Sequence, residues 1–429
     1  MWKAHWAARP ADAIRGEPEL IRGALPVVTD RPIDPAAPHH RTLNRAALML
    51  GFLTVIGPLG IDVYLPAFSA IAADLTVPHA SVELSLVSYL VALSLGQAVY
   101  GPLADRFGRR PPLTAGLCLC LVACLGAALA PSLEMLVAMR FLQGMGACAC
   151  VVIARAIARD IGKGHEVARL IAMMAMVQAV SPMLAPALGG MLLLHFSWRW
   201  IFGATALVVL MAVALVMLRL PETLGSARRA HGLGPAFARY GRLAADRHYM
   251  LIILAGGFAS GGFFAYLSGS SFVLVTLYGL SPQQYALFFG ANALLMVAAA
   301  QVSARLARRV AASVLMRAVM LVYASCAALL FAVASLGFGP IVVVTALVAC
   351  LACQGMVFPI VAMRALAPYA HAAGAASALM GVVQYACGAL SSSLVSALAD
   401  GTAMPMVGMM LACAVISCLL AWVAGSDKA

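Results

Sequence analysis

Residues 101–110 read GPLADRFGRR and lie between two long apolar runs. Asp105, Arg106, Arg109 and Arg110 crowd four charges into one short connection, together with two glycines and a proline. The chain around them is 63% apolar and only 10% charged over 429 residues. No soluble domain needs that much apolar surface. A bilayer does, because one spanning helix takes about 20 apolar residues. Backbone groups in hydrocarbon must be satisfied internally, so the spans are helices or a closed barrel. The apolar runs are continuous and do not alternate with period two, which selects helices.

Twelve spans are predicted. They lie near 45–68, 81–103, 111–130, 133–157, 166–194 and 199–220, then 248–277, 282–304, 312–336, 338–362, 373–398 and 403–424. The fold class is therefore an all-α integral membrane protein. Residues 101–110 form the connection after the second span. The cations follow the same parity: Arg106, Arg109, Arg110, Arg155, Arg159, Lys163, Arg169, Arg228, Arg229, Arg305, Arg308 and Arg309 fall on one side. By the positive-inside rule that side is cytoplasmic, as are both termini. The net charge of +12 is thus a topology signal. No basic stripe with interleaved aromatics suggests nucleic acid.

Residues 1–44 are rich in Pro and mixed charge, lack the apolar core of a secretory signal, and are expected to be a disordered cytoplasmic tail. The eleven cysteines all fall inside apolar spans. The pairs Cys148/Cys150 and Cys350/Cys353 have no His or carboxylate beside them, so buried apolar thiols are expected and no metal site. The three lysines, Lys3, Lys163 and Lys428, lie outside the spans, which removes a retinal-type chromophore. No nucleophile and base are paired as an enzyme would need.

The longest connection, 221–247, divides the spans six and six. RFLQGMG at 140–146 is echoed by LACQGMV at 351–357, MVQAV at 176–180 by VVQYA at 382–386, and LADRFGRR by VSARLARR. Three echoes in the same order indicate a parallel repeat. The expected organisation is a tail (1–44), an N-terminal six-helix bundle (45–220), a cytoplasmic linker (221–247) and a C-terminal six-helix bundle (248–425). Arg140 is echoed by Leu351, so helix packing there does not demand a cation.

Ionisable residues deep in a span are costly and point to function. Asp62 and Arg140 stand out, at matching depths roughly 9–10 Å from the outer surface at 1.5 Å per residue. They are either a structural ion pair or a proton site with its tuning cation. The second is favoured, because a site that loads and releases a proton needs burial and a cation acting in opposite directions. Glu83, Glu134 and Asp74 are expected at the outer rim, in water. Candidate cavity side chains are Tyr64, Tyr89, Gln97, Gln143, Gln178, Asn292, Gln354, Gln384 and Tyr385. Tyr89 and Gln97, eight apart, share a helix face. Phe263, Phe264 and Tyr266 are candidates for an apolar wall.

GPLADRFGRR resembles the G-x-x-x-D-R-x-G-R-R loop signature of the major facilitator superfamily at every position. The resemblance implies two six-helix bundles that rock about a central cavity. It also implies a cytoplasmic latch of Gly101, Asp105, Arg106, Gly108, Arg109 and Arg110. In that latch Asp105 would engage Arg155 or Arg159 and the region of His371–Gly374. RFLQGMG resembles the fourth-helix motif of proton-coupled members. SPMLAPALGG at 181–190 is similar to the antiporter motif of the fifth helix, with Pro186, Gly189 and Gly190 matching and Ser181 and Ala185 where glycines are usual; Pro182 and Pro186 let the helix bend. IDVYLPAFSAIAADL, WRWIFGATALVV and LPETL resemble the bicyclomycin-resistance branch of drug/proton antiporters over nearly all of 45–425. That resemblance implies a monomeric exporter of small amphipathic compounds in a bacterial inner membrane. It would need no cofactor, only the proton gradient, with Asp62 as the proton site. A sugar or metabolite symporter of the same fold is the rival reading.

Overall fold

The computed structural model describes residues 37–162, 164–225, 229–230 and 232–425; the side chains of 37–42, 179–180, 183, 282 and 370–371 fall outside that description. Most of the expected tail, with Lys163 and Arg228, is therefore outside it. The first helix already begins at Ala37, so the end of the expected tail is helical.

Among the described residues, twelve helices have 19 residues or more: α1 (Ala37–Asp62), α3 (His79–Phe107), α4 (Arg110–Ala128), α5 (Leu133–Ile161), α6 (His165–His195), α7 (Arg199–Arg219), α9 (Arg247–Ser271), α10 (Pro282–Leu306), α11 (Ala312–Ser335), α12 (Pro340–Leu366), α13 (Ala373–Ala397) and α14 (Met404–Val423). Two short helices, α2 (Phe68–Leu75) and α8 (Gly234–Ala245), complete the set. Among the described residues, eleven segments are long and apolar enough to cross a bilayer. The remaining long helix, α6, has 31 residues, and its described stretch Leu184–His195 is apolar.

Local signals set the ends. Ser132 accepts a hydrogen bond from the Met135 N–H at the start of α5. Asp246 accepts from His248 and Tyr249 at the start of α9. Ser281 and Gln284 close a capping box on α10. Each satisfies N–H groups that a helix start leaves without a partner.

The first span differs from expectation in a way that matters. It runs from Leu43 to Leu75 but breaks after Asp62, passing through a 3₁₀ turn at Leu65–Ala67 before α2. Pro66 causes this, since it cannot donate to an α-helical bond. Asp62 is thus the last residue of α1, well inside the span and deeper than the sequence suggests.

Helix α3 packs on α5, and α4 packs on α5 and α7. Helix α9 packs on α13 and α14, α11 on α12 and α14, and α10 on α12. Between these groups α3 lies along α13 and α6 along α10. The repeat echo appears in the packing. Gly144 of α5 faces the Tyr89 carbonyl of α3, and Gly355 of α12 faces the Met296 carbonyl of α10, each where a Cβ would collide with backbone. Small residues let spanning helices approach this closely.

Candidate functional site: a buried aspartate, a cavity pair and a charged end

Asp62 is 5% exposed, and its Oδ2 has no hydrogen-bond partner. It lies within electrostatic reach of Tyr266, Tyr285 and Tyr385, all of the second half. Asp62 and Arg140 do not form an ion pair, so that reading is set aside. Arg140 is fully buried among aromatic rings. Its guanidinium carbon stands 4.2 Å from the Tyr89 ring centre, 4.6 Å from Tyr64 and 5.9 Å from Phe202. Its Nη1 donates to Gln143 Oε1 at 2.6 Å, and Gln143 reaches Cys124. Cation–π contact replaces the carboxylate as the partner of this charge.

Three candidate cavity residues are therefore corrected. Tyr64, Tyr89 and Gln143 enclose Arg140 and line neither of the two cavities described below. Tyr64 pairs with the Ser85 hydroxyl at 2.6 Å, and the Tyr89 hydroxyl donates to the Gly57 carbonyl at 2.9 Å. Tyr89 points into the first bundle, whereas Gln97 presses against Gly381 of α13 across the interface. Tyr64 follows Asp62 by two residues, so the break in α1 connects the aspartate to the Arg140 cluster through the backbone.

The remaining candidates do line cavities. One, of about 260 Å³, is apolar and lies among α6, α9, α10 and α12, with Pro182, Phe263, Tyr266, Asn292, Gln354 and Phe358 in its wall. Phe264 turns away, toward Gly388 and Tyr385. The second, of about 200 Å³, is mostly polar and carries Gln97, Arg155, Gln178, Gln384 and Tyr385. Phe358 borders both. Gly189 of the fifth-span motif faces the Val63 carbonyl at the α1 break, with no room for a Cβ, and Pro186 and Gly190 are buried beside it.

The 101–110 end forms a charge network. Asp105 meets Arg109 at 2.6 Å, and Arg109 meets Asp160 of α5 at 2.8 Å. Thr223 also donates to Asp160. The expected direct contact of Asp105 with Arg155 or Arg159 does not form, because Arg109, four residues on, takes the carboxylate first. Arg159 instead lines a cavity beside Asp105, Gly101 and Gly374, with Tyr240 of α8 across it. Arg155 belongs to the central polar cavity and not to this end. Arg106 is exposed over the Phe107 ring. Gly108 takes φ +91°, and a Cβ there would strike the Glu222 carboxylate. Glu222 of LPETL accepts from the N–H groups of Arg109, Arg110 and Leu224. Burial alone would raise its carboxyl, but these donors hold it below the ordinary carboxylate range. Arg110 reaches the Met217 carbonyl at 2.7 Å. Asp160 and Glu222 escaped the sequence reading. ARAIARD and LPETL contain them, but only the fold brings both to Arg109.

At the opposite end Glu83 corrects the expectation of a solvated rim. It is 3% exposed and accepts from Ser268. Glu134 is exposed, and Asp74 pairs with Arg199 at 2.5 Å.

Residues 50–392 match the family model described as Major Facilitator Superfamily. The chain belongs to the Major Facilitator Superfamily. This superfamily member is 37% identical over 377 residues to an uncharacterized MFS-type transporter, YdgK, of Bacillus subtilis, covering 87% of this chain and 93% of the relative. It is 32% identical over 384 residues to a bicyclomycin resistance protein homolog of Haemophilus influenzae, covering 87% and 94%. It is 33% identical over 272 residues to a chloramphenicol resistance protein of Pseudomonas aeruginosa, covering 62% of each. The crystal structure of a D-xylose-proton symporter superposes with a TM-score of 0.70 at 14% identity, covering 88% and 96%, which establishes the fold alone. The protein is a multi-pass membrane transporter, not an enzyme, and groups with the drug-resistance branch.

Proposed function

We propose that this transporter is a proton-coupled antiporter that exports small amphipathic compounds, phenicol-like or bicyclomycin-like, by alternating access. It works as a monomer in a bacterial inner membrane, with the 101–110 connection and both termini in the cytoplasm. The proton gradient drives it without a cofactor. The observation that carries the reading is Asp62, a buried carboxyl with an unpartnered oxygen at a helix break. A buried, unpaired carboxylate is costly, and a proton removes that cost. Gly189 of the fifth-span motif packs on the same break, so movement of α6 acts on the proton site. The aromatic cavity suits the apolar part of a substrate, and the polar cavity beside it suits the rest. That division favours amphipathic compounds over sugars, which would want hydrogen bonds throughout.

The test uses everted membrane vesicles with an imposed proton gradient followed by dye fluorescence. Chloramphenicol, florfenicol and bicyclomycin are added in turn to wild type and Asp62→Asn. Dissipation of the gradient by a drug in wild type only is expected. Equal dissipation by Asp62→Asn removes Asp62 as the proton site. Silence with all three drugs, with dissipation by a sugar or metabolite, turns the reading to uptake.

A further inference from the structure

Among the described residues, Arg155 is a cation that no ion pair in the structure and no part of the proton site accounts for. Among the described residues it has no carboxylate partner, unlike Arg109, and it is not wrapped in rings, unlike Arg140. Arg159, one turn on, lies in the field of Asp105 and Asp160, whereas Arg155 points into the polar cavity. There it faces Gln97 of α3, Gln178 of α6, and Ser377, Gln384 and Tyr385 of α13. Three amides, a hydroxyl and a phenol from both halves converge on one uncompensated guanidinium. An unpaired cation in a cavity within the membrane is expensive unless something binds it.

We infer that Arg155 is the specificity-determining residue of the substrate site and that it takes a planar pair of acceptor oxygens, as in a nitro or carboxylate group. The guanidinium fork presents parallel N–H donors matched to two such oxygens. The three glutamines supply further donors around the pair, and their rotatable amides tolerate variation in the rest of the polar group. Phe358 stands between this cavity and the apolar one, so an aromatic ring carrying the acceptor pair reaches both. The inference rests on the proposed transport reading for its site and adds what the site recognises.

The experiment measures binding to the full-length protein in detergent, with no gradient, by calorimetry. The probes are 6-nitro-2-naphthol, 6-carboxy-2-naphthol and 6-methyl-2-naphthol, which share a ring and differ at one group. In wild type the nitro and carboxylate probes are expected to bind about tenfold tighter than the methyl probe, the size of a charge-assisted hydrogen bond. Arg155→Gln removes that preference and leaves methyl-probe binding unchanged, which also shows that the variant is folded. Arg155→Lys keeps part of the carboxylate preference, through charge, and loses the nitro preference. Equal binding of all three probes to wild type, or a preference that survives in Arg155→Gln, overturns the inference. Loss of the preference in Arg155→Gln alongside vesicles that show no drug-driven proton movement would leave the subsite standing and remove antiport.

Discussion

Ser268 of α9 donates a 2.6 Å hydrogen bond to the buried Glu83 carboxylate of α3, across the two halves of the transporter. Ser396 of α13 makes a second crossing at the same end, to the Ala80 carbonyl at 2.6 Å. His79 Nδ1 lies 3.9 Å from Glu83. These bonds hold the halves together at the end opposite Asp105, and the alternating access proposed above requires that they break and re-form.

Ser268→Ala leaves Glu83 with a buried, unsatisfied oxygen. The expected cost is about 1–3 kcal/mol. Thermal unfolding of the purified protein in detergent should show a lower Tm, and Ser396→Ala a smaller drop, because the acceptor it abandons is neutral. An unchanged Tm for Ser268→Ala speaks against the clamp.

The two partners of Arg109 should differ in weight. Asp105 keeps 44% of its side chain exposed, whereas Asp160 keeps 12%. An exposed pair is worth about 0–1 kcal/mol, but removing one partner of a buried pair costs about 3–5 kcal/mol. Asp160→Asn is thus expected to destabilise well beyond Asp105→Asn. Asp105→Ala should slow turnover by loosening the Asp105–Arg109–Asp160 network at near-normal stability. Equal melting curves for Asp105→Asn and Asp160→Asn contradict the assignment.

Glu222 gives a pH signature. Its folded carboxyl titrates below the ordinary value of 4.5, so its contribution is complete above that value and disappears as pH falls through the lower, folded one. Wild type is expected to lose stability in acid below about pH 4.5 by an amount that Glu222→Gln does not lose. Melting curves between neutral pH and pH 3 for the two proteins check this. Parallel curves exclude a Glu222 contribution.

Gly189→Ala places a methyl against the Val63 carbonyl next to Asp62. Overpacking of this kind costs about 1–3 kcal/mol. Drug-driven proton movement in everted vesicles should fall while membrane insertion persists. Gly225→Ala, with open space around it and an ordinary φ, is the matched control. Full transport by Gly189→Ala removes the link between α6 and the break.

Arg140→Leu copies the residue found at the equivalent position of the second half, Leu351. It leaves Tyr64, Tyr89 and Gln143 without their cation. Insertion into the membrane is expected with transport lost. Normal transport would show that the cation only fills space.

The twelve long helices, the basic side, the loop signature and the rarity of Asp62 and Arg140 were legible along the chain. Each follows from composition along one segment, and hydrocarbon leaves a segment little choice but helix. The partner each side chain meets came from the packing of one helix on another. A helical position fixes direction about its own axis, not which neighbour stands there. Arg155 and Arg159 lie four apart on one helix, yet one turns to the central cavity and the other to the charged end. Tyr89 and Gln97 share a face in register, yet α3 is packed on α5 and on α13, and they divide between the two. Glu83 reads as a rim residue by its distance from the span end, and Ser268, 185 positions away, makes it an interior one. Pro66 marks the break at Asp62 within its own segment, but the close approach of Gly189 to the Val63 carbonyl there is a contact between two segments that neither records alone.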